Sequence, residues 1–306
     1  MWGYLLKRFL ETVPVILLTV TLAFFLLRLA PGNPFESEKG ISEQVRAALD
    51  EQYGFDQPLH WQYLTYMGDV FFRLDLGPSL KYQGWRVSEL IASKAVISLE
   101  LGAYALVIAL AVGLCAGVLA AWRPHTLTDR APMAVALLGI SLPAFVLGPL
   151  FIWLFALKWE LFNVSGWFLP RDRILPAITL GIVYSAIIAR LARTSMMEVR
   201  HQDYMRTAKA KGLSEVRVYL VHGLRNGLTP VVSYLGPAMA GLITGSFAVE
   251  TIFNIPGLGR FFVASALNRD DFMVIGTVLF FAVTLILFNL FVDIALVVLN
   301  PRRQFD

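Results

Sequence analysis

Cysteine is nearly missing from this chain: Cys115 stands alone, which excludes an internal disulfide and any cysteine-built metal cluster. It lies inside an apolar stretch and is expected as a small core residue. Histidine is scarce too. His60, His125, His201 and His222 all fall between apolar stretches, and no His-Glu-x-x-His pair exists to hold a catalytic zinc. A Gly-x-x-x-x-Gly-Lys-[Ser/Thr] segment is missing, so the chain lacks the usual cradle for nucleotide phosphates. Charge is thin: Asp, Glu, Lys and Arg make up 16% of the residues against 57% hydrophobic ones, with a mean hydropathy of +0.64. Such a balance excludes an ordinary soluble globule. No catalytic constellation, metal site or bound cofactor is expected in this chain.

What the chain has instead is clustered apolarity. Uncharged runs cover Thr12–Leu27, Leu101–Trp122, Ala131–Leu157, Ile174–Ala189, Asn226–Val249 and Phe272–Val292. About 20 mostly apolar residues carry a helix across the hydrocarbon core. Four runs reach that length alone, and Glu11, Arg28 and Arg190 let the first and fourth end at the interface. The expectation is an all-α integral membrane protein with six transmembrane helices, near Leu6–Leu29, Val96–Ala121, Met133–Leu157, Leu175–Ala192, Leu228–Glu250 and Val274–Leu299. Lys7 and Arg8 precede the first run in signal-peptide fashion, but the run continues to Leu29 without a small-residue cleavage pattern, so it is read as a retained helix.

Basic residues in the connections set the orientation. The Arg190–Arg225 connection carries eight basic and three acidic residues, the Ala30–Ala95 connection six basic and nine acidic ones. Lys7, Arg8, Arg302 and Arg303 put both termini with the former. Both termini and the basic connection are therefore expected inside, the long first loop outside. The net charge of +4 reflects topology, and a nucleic-acid partner is not expected.

The division expected is an N-terminal transmembrane helix (1–29), an extracytoplasmic helical loop (30–95), a five-helix core (96–299) with a cytoplasmic loop at 193–227, and a tail (300–306). Within the outer loop, helical spacing covers Ile41–Tyr53, with Ser42 as N-cap and Val45, Ala48, Leu49 and Tyr53 on one face. A second helix is expected over Leu59–Phe72, with Leu59, Tyr63, Tyr66, Met67 and Val70 on one side. Helix breakers punctuate the spans: Gly139 to Pro143 and Gly148-Pro149 in the third, Pro176 at the start of the fourth, Gly236-Pro237 in the fifth. Backbone freed there is satisfied by protein or by water in a cavity, which as a group suggests a lined, moving pathway. Gly113-x-x-x-Gly117 and Gly241-x-x-x-Gly245 suit close helix approach. No repeat relates the two halves, which argues against an inverted-repeat secondary transporter. Among carboxylates near membrane depth, Glu11, Glu100 and Glu250 are expected at span ends, solvated or paired, and Asp293 deeper.

The inner connection carries the most information. Arg190–Ala210 reads as a continuation of the fourth span, Gly212 as a left-handed stop, and Ser214-Glu215 as the cap of a new helix through Leu224. A helix, glycine turn and helix on the inner surface is the form of a docking site for a soluble partner; a basic amphipathic pair resting on anionic lipid is the alternative.

Here the sequence resembles the inner-membrane permeases of binding-protein-dependent ABC importers, whose inner loop carries a Glu-Ala-Ala…Gly motif on a coupling helix. The match runs over Asp203-Tyr204-Met205-Arg206-Thr207-Ala208-Lys209-Ala210-Lys211-Gly212-Leu213-Ser214, then His222 to Asn226 and Pro230. Arg206-Thr207-Ala208 replaces Glu-Ala-Ala, and Arg225 stands at the family's usual proline. Arg28 to Pro34, Gly77 to Tyr82, Glu250 to Gly259 and Ala266 to Asp270 resemble the peptide/nickel branch, and Gly77 to Tyr82 is most similar to the first membrane subunit of oligopeptide permeases.

The resemblance implies the type I ABC importer permease fold (MetI-like), in a bacterial inner membrane. It also implies a second homologous permease subunit, two ABC ATPase subunits that bind ATP and Mg, and an extracytoplasmic peptide-binding protein. Tyr204, Arg206, Thr207, Ala208, Lys209, Gly212 and Leu213 would make the ATPase-coupling contact. Ser141, Pro143, Ser233, Gly236, Met239 and Thr244 are assigned to the pathway lining, where small, weakly polar surface suits varied cargo. Oligopeptide is the expected cargo, with dipeptide, nickel and glutathione importers as relatives. A stand-alone proton-coupled transporter with Asp293 and Glu11 as relay groups, or a non-transporting scaffold, are the alternatives of other classes.

Overall fold

A computed structural model describes the backbone of residues 2–30 and 43–299 and the side chains of 10–30 and 43–297. Its elements, in chain order, are α1 (Trp2–Leu29), α2 (Glu43–Tyr53), α3 (Leu59–Gly68), α4 (Val87–Trp122), α5 (Leu127–Ser141), α6 (Ala144–Phe151), α7 (Ile174–Arg200), α8 (Asp203–Ala210), α9 (Glu215–Arg217), α10 (Leu224–Gly227), α11 (Thr229–Ile252), α12 (Leu258–Leu267) and α13 (Asp271–Leu299). Wider π-type turns continue α3, α6 and α9 over Asp69–Arg73, Ile152–Lys158 and Val218–Gly223. Among the described residues five helices are long and apolar enough to cross a membrane, and a sixth crossing exists if α5 and α6 are one broken span.

That broken span follows the expected pattern in part. A span over Met133–Leu157 interrupted at Gly139–Pro143 and at Gly148-Pro149 was expected; the first interruption is present, and the two halves meet there at 105°. Pro143 explains the break: it disfavours helical backbone at its predecessor, and Leu142 is extended at φ −102°, ψ 117°. The helix then restarts with the Val146 and Leu147 amides donating to the Pro143 carbonyl. Pro149, by contrast, sits inside α6, and the wide turn follows it. Gly236-Pro237 does not interrupt α11 either, which runs unbroken from Thr229 to Ile252. Gly236 serves close approach instead, since a Cβ there would strike the Asn289 side chain.

Two compact units divide the chain. The first comprises Met1–Ile97 and Gly257–Val283. Its core joins Val20 and Phe24 of α1 to Tyr66, Val70 and Ile275, and Val87, Leu90 and Ile91 to Leu258 and Met273. The face expected on α3 is thus buried at Tyr66 and Val70 and partly at Tyr63 and Met67, but Leu59 at its start is exposed. Burial raises the Tyr66 phenol above its ordinary value. The face expected on α2 is not buried: α2 has no buried residue, and Val45 is half exposed. Ser42, its expected cap, lies outside the described residues.

The same unit gathers three segments that are far apart in sequence. Asp270, fully buried, accepts hydrogen bonds from the Ser79 hydroxyl and from the amides of Leu80 (3.1 Å), Lys81 (3.4 Å) and Met273 (3.3 Å). Ser79 Oγ in turn accepts from the Tyr82 amide at 2.9 Å. The neighbouring Arg269 donates to the Ala30 carbonyl at 3.0 Å. Arg28 pairs with Asp271 at 3.4 Å, and its guanidinium lies 4.1 Å from the centre of the Phe55 ring.

The second unit comprises Ser98–Pro256 and Thr284–Asp306. α7 is its centre, flanked by α4, α5 and α11. Glycines set these approaches: a Cβ on Gly113 would come 2.7 Å from the Ser185 carbonyl oxygen, and one on Gly117 would strike the Ala189 carbonyl. Gly241 likewise leaves room only for the Tyr184 hydroxyl. Both small-residue spacings therefore act at helix contacts. Cys115, expected in the core, is exposed on α4, because it lies on the opposite side of the helix from Gly113 and Gly117.

Candidate functional site

The Arg190–Arg225 connection folds as a hairpin built from the end of α7. Arg190–Ala210 is not one helix, as the sequence pattern suggested. α7 stops at Arg200, Gln202 turns extended at φ −72°, ψ 147°, and α8 starts at Asp203. Asp203 in the first turn favours that restart, a carboxylate being stabilised at a helix N-terminus. The Lys211 and Gly212 amides bond back to Thr207 and Lys209 at 3.1 and 3.0 Å. Gly212 then takes φ +79°, the left-handed stop expected of it. Ser214 follows in extended conformation and its carbonyl accepts the Val218 amide at 3.0 Å, but its hydroxyl makes no cap bond.

The two faces of α8 are distinct. Met205 and Ala208 are buried, at 1% and 7% exposure, against Ala121 of α4, Met196 and Val199 of α7, and Val218 and Tyr219 beyond the turn. The Trp122 and Tyr219 rings meet at a tilt of 51° with centroids 5.2 Å apart, and Leu213 packs at the edge of this cluster. Burial pushes the Tyr219 phenol above its ordinary value, against the opposing pull of the Arg200 guanidinium. The outward face carries Tyr204, Arg206, Thr207 and Lys209. Lys209 reaches Glu215 across the turn at 3.2 Å, and Arg206 lies 3.8 Å from Asp203. Of the expected coupling residues, Ala208 therefore anchors the hairpin and faces inward, while the others stand at its surface or edge.

Anchoring continues into the next span. A Cβ on Gly227 would strike Met196 Sδ, and one on Gly223 would come 3.2 Å from Met196 Cε. Thus α10, which leads into α11, lies directly on the side chain that supports α8. A push on the hairpin meets packed residues of α4, α7 and α10 rather than a loose loop.

The expected pathway residues separate into two groups. Ser141 and Pro143 are exposed at the bend between α5 and α6, and Ser233 and Thr244 lie on the open face of α11 with Pro237 and Thr251, at helical spacing. Gly236 and Met239 turn the opposite way and are buried, Met239 at 7% exposure. They pack; they do not line an open surface. The reason is angular: both lie off the stripe that residues 233, 237, 244 and 251 define on α11.

Three carboxylates tie elements together, and of these only Asp129 was not singled out by sequence. Glu250, expected solvated or paired at a span end, is fully buried; its Oε1 accepts from Ser98 and Ser246, each at 2.7 Å, tying α4 to α11. Asp129 takes both Arg193 nitrogens at 2.5 and 2.8 Å and the His125 amide at 2.8 Å, tying α5 to α7. Glu100 receives Arg173 at 2.6 Å and the Trp167 indole at 3.3 Å. A carboxylate in an apolar run signals a partner, but nothing in one sequence says which residue it is.

These features define an all-α membrane protein with a helical hairpin between α7 and α11. The chain belongs to the family described as the inner membrane component of binding-protein-dependent transport systems: that family's model matches residues 113–305, and its N-terminal model residues 1–81. It is 44% identical over 299 residues to the dipeptide transport system permease protein DppB of Bacillus subtilis, covering 98% of this chain and 97% of that one. The oligopeptide transport system permease proteins OppB of Haemophilus influenzae and Escherichia coli K12 are 41% and 39% identical over the full length of both chains. A crystal structure of an amino acid ABC transporter with histidines superposes with a TM-score of 0.51 at 15% identity, over 68% of this chain and 93% of that one. The fold is thus that of the type I ABC importer permeases, and the chain is a multi-pass inner-membrane transport component.

Proposed function

We propose that this chain is one permease subunit of an ATP-driven peptide importer, forming half of the pathway and receiving force through α8. The observation that carries the coupling role is the hairpin at Gly212, polar outside and seated by Met205 and Ala208 on the ends of α4 and α7. Full-length similarity to dipeptide and oligopeptide permeases supports peptides as cargo, with oligopeptides first.

On this reading the partners are a second homologous permease, two ATPase subunits that bind ATP and Mg beneath the hairpin, and an extracytoplasmic peptide-binding protein. Tyr204, Arg206, Thr207, Lys209, Gly212 and Leu213 form the coupling surface, with Ala208 as its anchor. Both termini and the hairpin face the cytoplasm. Ser141, Pro143, Ser233 and Thr244 line the pathway. Closure of the ATPases moves α8, and the packing around Met196 passes the motion to α7 and α11.

The test is uptake of labelled peptide into proteoliposomes holding the whole importer, with ATP inside. Gly212→Val places a β-branched residue at φ +79°, costing about 1–2 kcal/mol. We expect insertion to survive and ATP-dependent uptake to fall at least about fivefold, the equivalent of ~1 kcal/mol. Unchanged uptake in this variant, or ATP hydrolysis by the isolated chain, contradicts the reading.

A further inference from the structure

We propose that the cavity between α5 and α7, at their hairpin-side ends, binds the phosphodiester headgroup of an anionic phospholipid, with an acyl chain along the apolar wall beyond it. The cavity measures about 520 Å3, and three guanidiniums (Arg130, Arg190 and Arg193) face one carboxylate, Asp129. Arg193 is engaged by Asp129 through two hydrogen bonds. The side chains of Arg130 and Arg190 are exposed and make no ion pair or hydrogen bond among the described residues. Two positive charges are therefore left over at one end of the cavity.

The other end has a different character. Met133, Leu137 and Ile140 follow Arg130 at helical spacing on α5, opposite Ala186 of α7. From Arg130 to Ile140 the lining runs about 15 Å along the helix, from charge to hydrocarbon. A second cavity of about 350 Å3 shares Ala136 and Ala186 and adds Val112, Val135 and Ile182, with no ionisable residue. An inorganic anion has no use for about two turns of apolar wall, and a peptide carboxylate brings a polar backbone that this wall cannot bond. A phospholipid matches both ends. Basic pockets between helices on the cytoplasmic side suit anionic headgroups, and the coupling hairpin begins ten residues beyond Arg190 on α7.

The inference rests on the inward placement of this end in the reading above, but its readout is lipid, independent of cargo. Assembled importer is purified in mild detergent, and its retained phosphatidylglycerol, cardiolipin and phosphatidylethanolamine are counted by native mass spectrometry. Wild type should keep anionic lipid. The Arg130→Gln, Arg190→Gln double variant should keep about 25-fold less, roughly fivefold per arginine, with phosphatidylethanolamine unchanged. Neither arginine supports another side chain, so the fold should persist. Leu137→Trp, which leaves every charge in place, should expel the lipid as well by filling the wall. Equal anionic lipid in the double variant overturns the proposal. So does indifference to Leu137→Trp combined with displacement by millimolar inorganic phosphate, which identifies a free-anion site. A photo-crosslinker at position 137 that captures the partner permease instead of lipid overturns it too.

Discussion

Single residues in this chain act by where they leave no room and by what they accept. Asp270 is the acceptor for a hydroxyl and three amides in a site closed to water. Asp270→Ala strands those donors, and each unsatisfied buried donor costs about 1–3 kcal/mol. We expect a lower melting temperature for the assembled complex by differential scanning fluorimetry and a Gly77–Tyr82 turn newly open to protease. Gly117 is the steric counterpart. Gly117→Val forces a branched side chain against the Ala189 carbonyl, and backbone cannot yield as a flexible side chain can. Loss of the α4–α7 approach should appear as failed complex formation on blue-native gels, whereas Gly68→Ala, on helical backbone with nothing within 4 Å of the added carbon, should assemble normally.

At the scale of elements, the hairpin should respond asymmetrically to change. Met205 is 1% exposed in the cluster beneath α8. Met205→Asp buries a charge without a partner, costing several kcal/mol, and should abolish peptide-stimulated ATP hydrolysis in the reconstituted importer while the chain still inserts. Lys209→Ala removes only a surface pair whose partners are 46% and 74% exposed. Such pairs contribute about 0–1 kcal/mol, so thermal stability should stay within measurement error. The sequence already showed a glycine stop at 212 and a helix on each side of it, since left-handed backbone and a change of pattern are local matters. It did not show the break at His201-Gln202, where no proline or glycine marks the turn, nor that Ala208 faces inward, which depends on the partners α4 supplies. The broken third span was half legible: Pro143 announced an interruption, but its 105° angle is a tertiary property. For the candidate pathway, residue type pointed to Ser233, Gly236, Met239 and Thr244 together, and only the helix phase of α11 separates the two that are open from the two that are packed. Glu250 lies near its span end and is paired, as expected, but its partner could not be read: Ser98 is 152 positions away.

For the molecule as a whole, topology is the property to measure. With Cys115→Ser as background, the chain holds no thiol, and single cysteines can be placed at Gln57, Val164 and Lys211. We expect a membrane-impermeant maleimide to label positions 57 and 164 in intact spheroplasts, and position 211 only after permeabilisation. Labelling of 211 from outside would reverse the orientation and remove the basis for coupling through α8.

The clasp at Asp270 has a consequence for biogenesis. Ser79 leaves the ribosome 191 residues before the carboxylate that receives its hydroxyl, and the first unit cannot close until Gly257–Val283 has been synthesised. During that interval its first 97 residues wait, inserted but unfinished, with Tyr66 and Val70 lacking Ile275 above them. Contacts so distant in sequence form late, and surface left open in the meantime invites misassembly. A nascent chain stalled shortly before residue 257 should therefore be a far better substrate for membrane quality-control proteases than one stalled after 283.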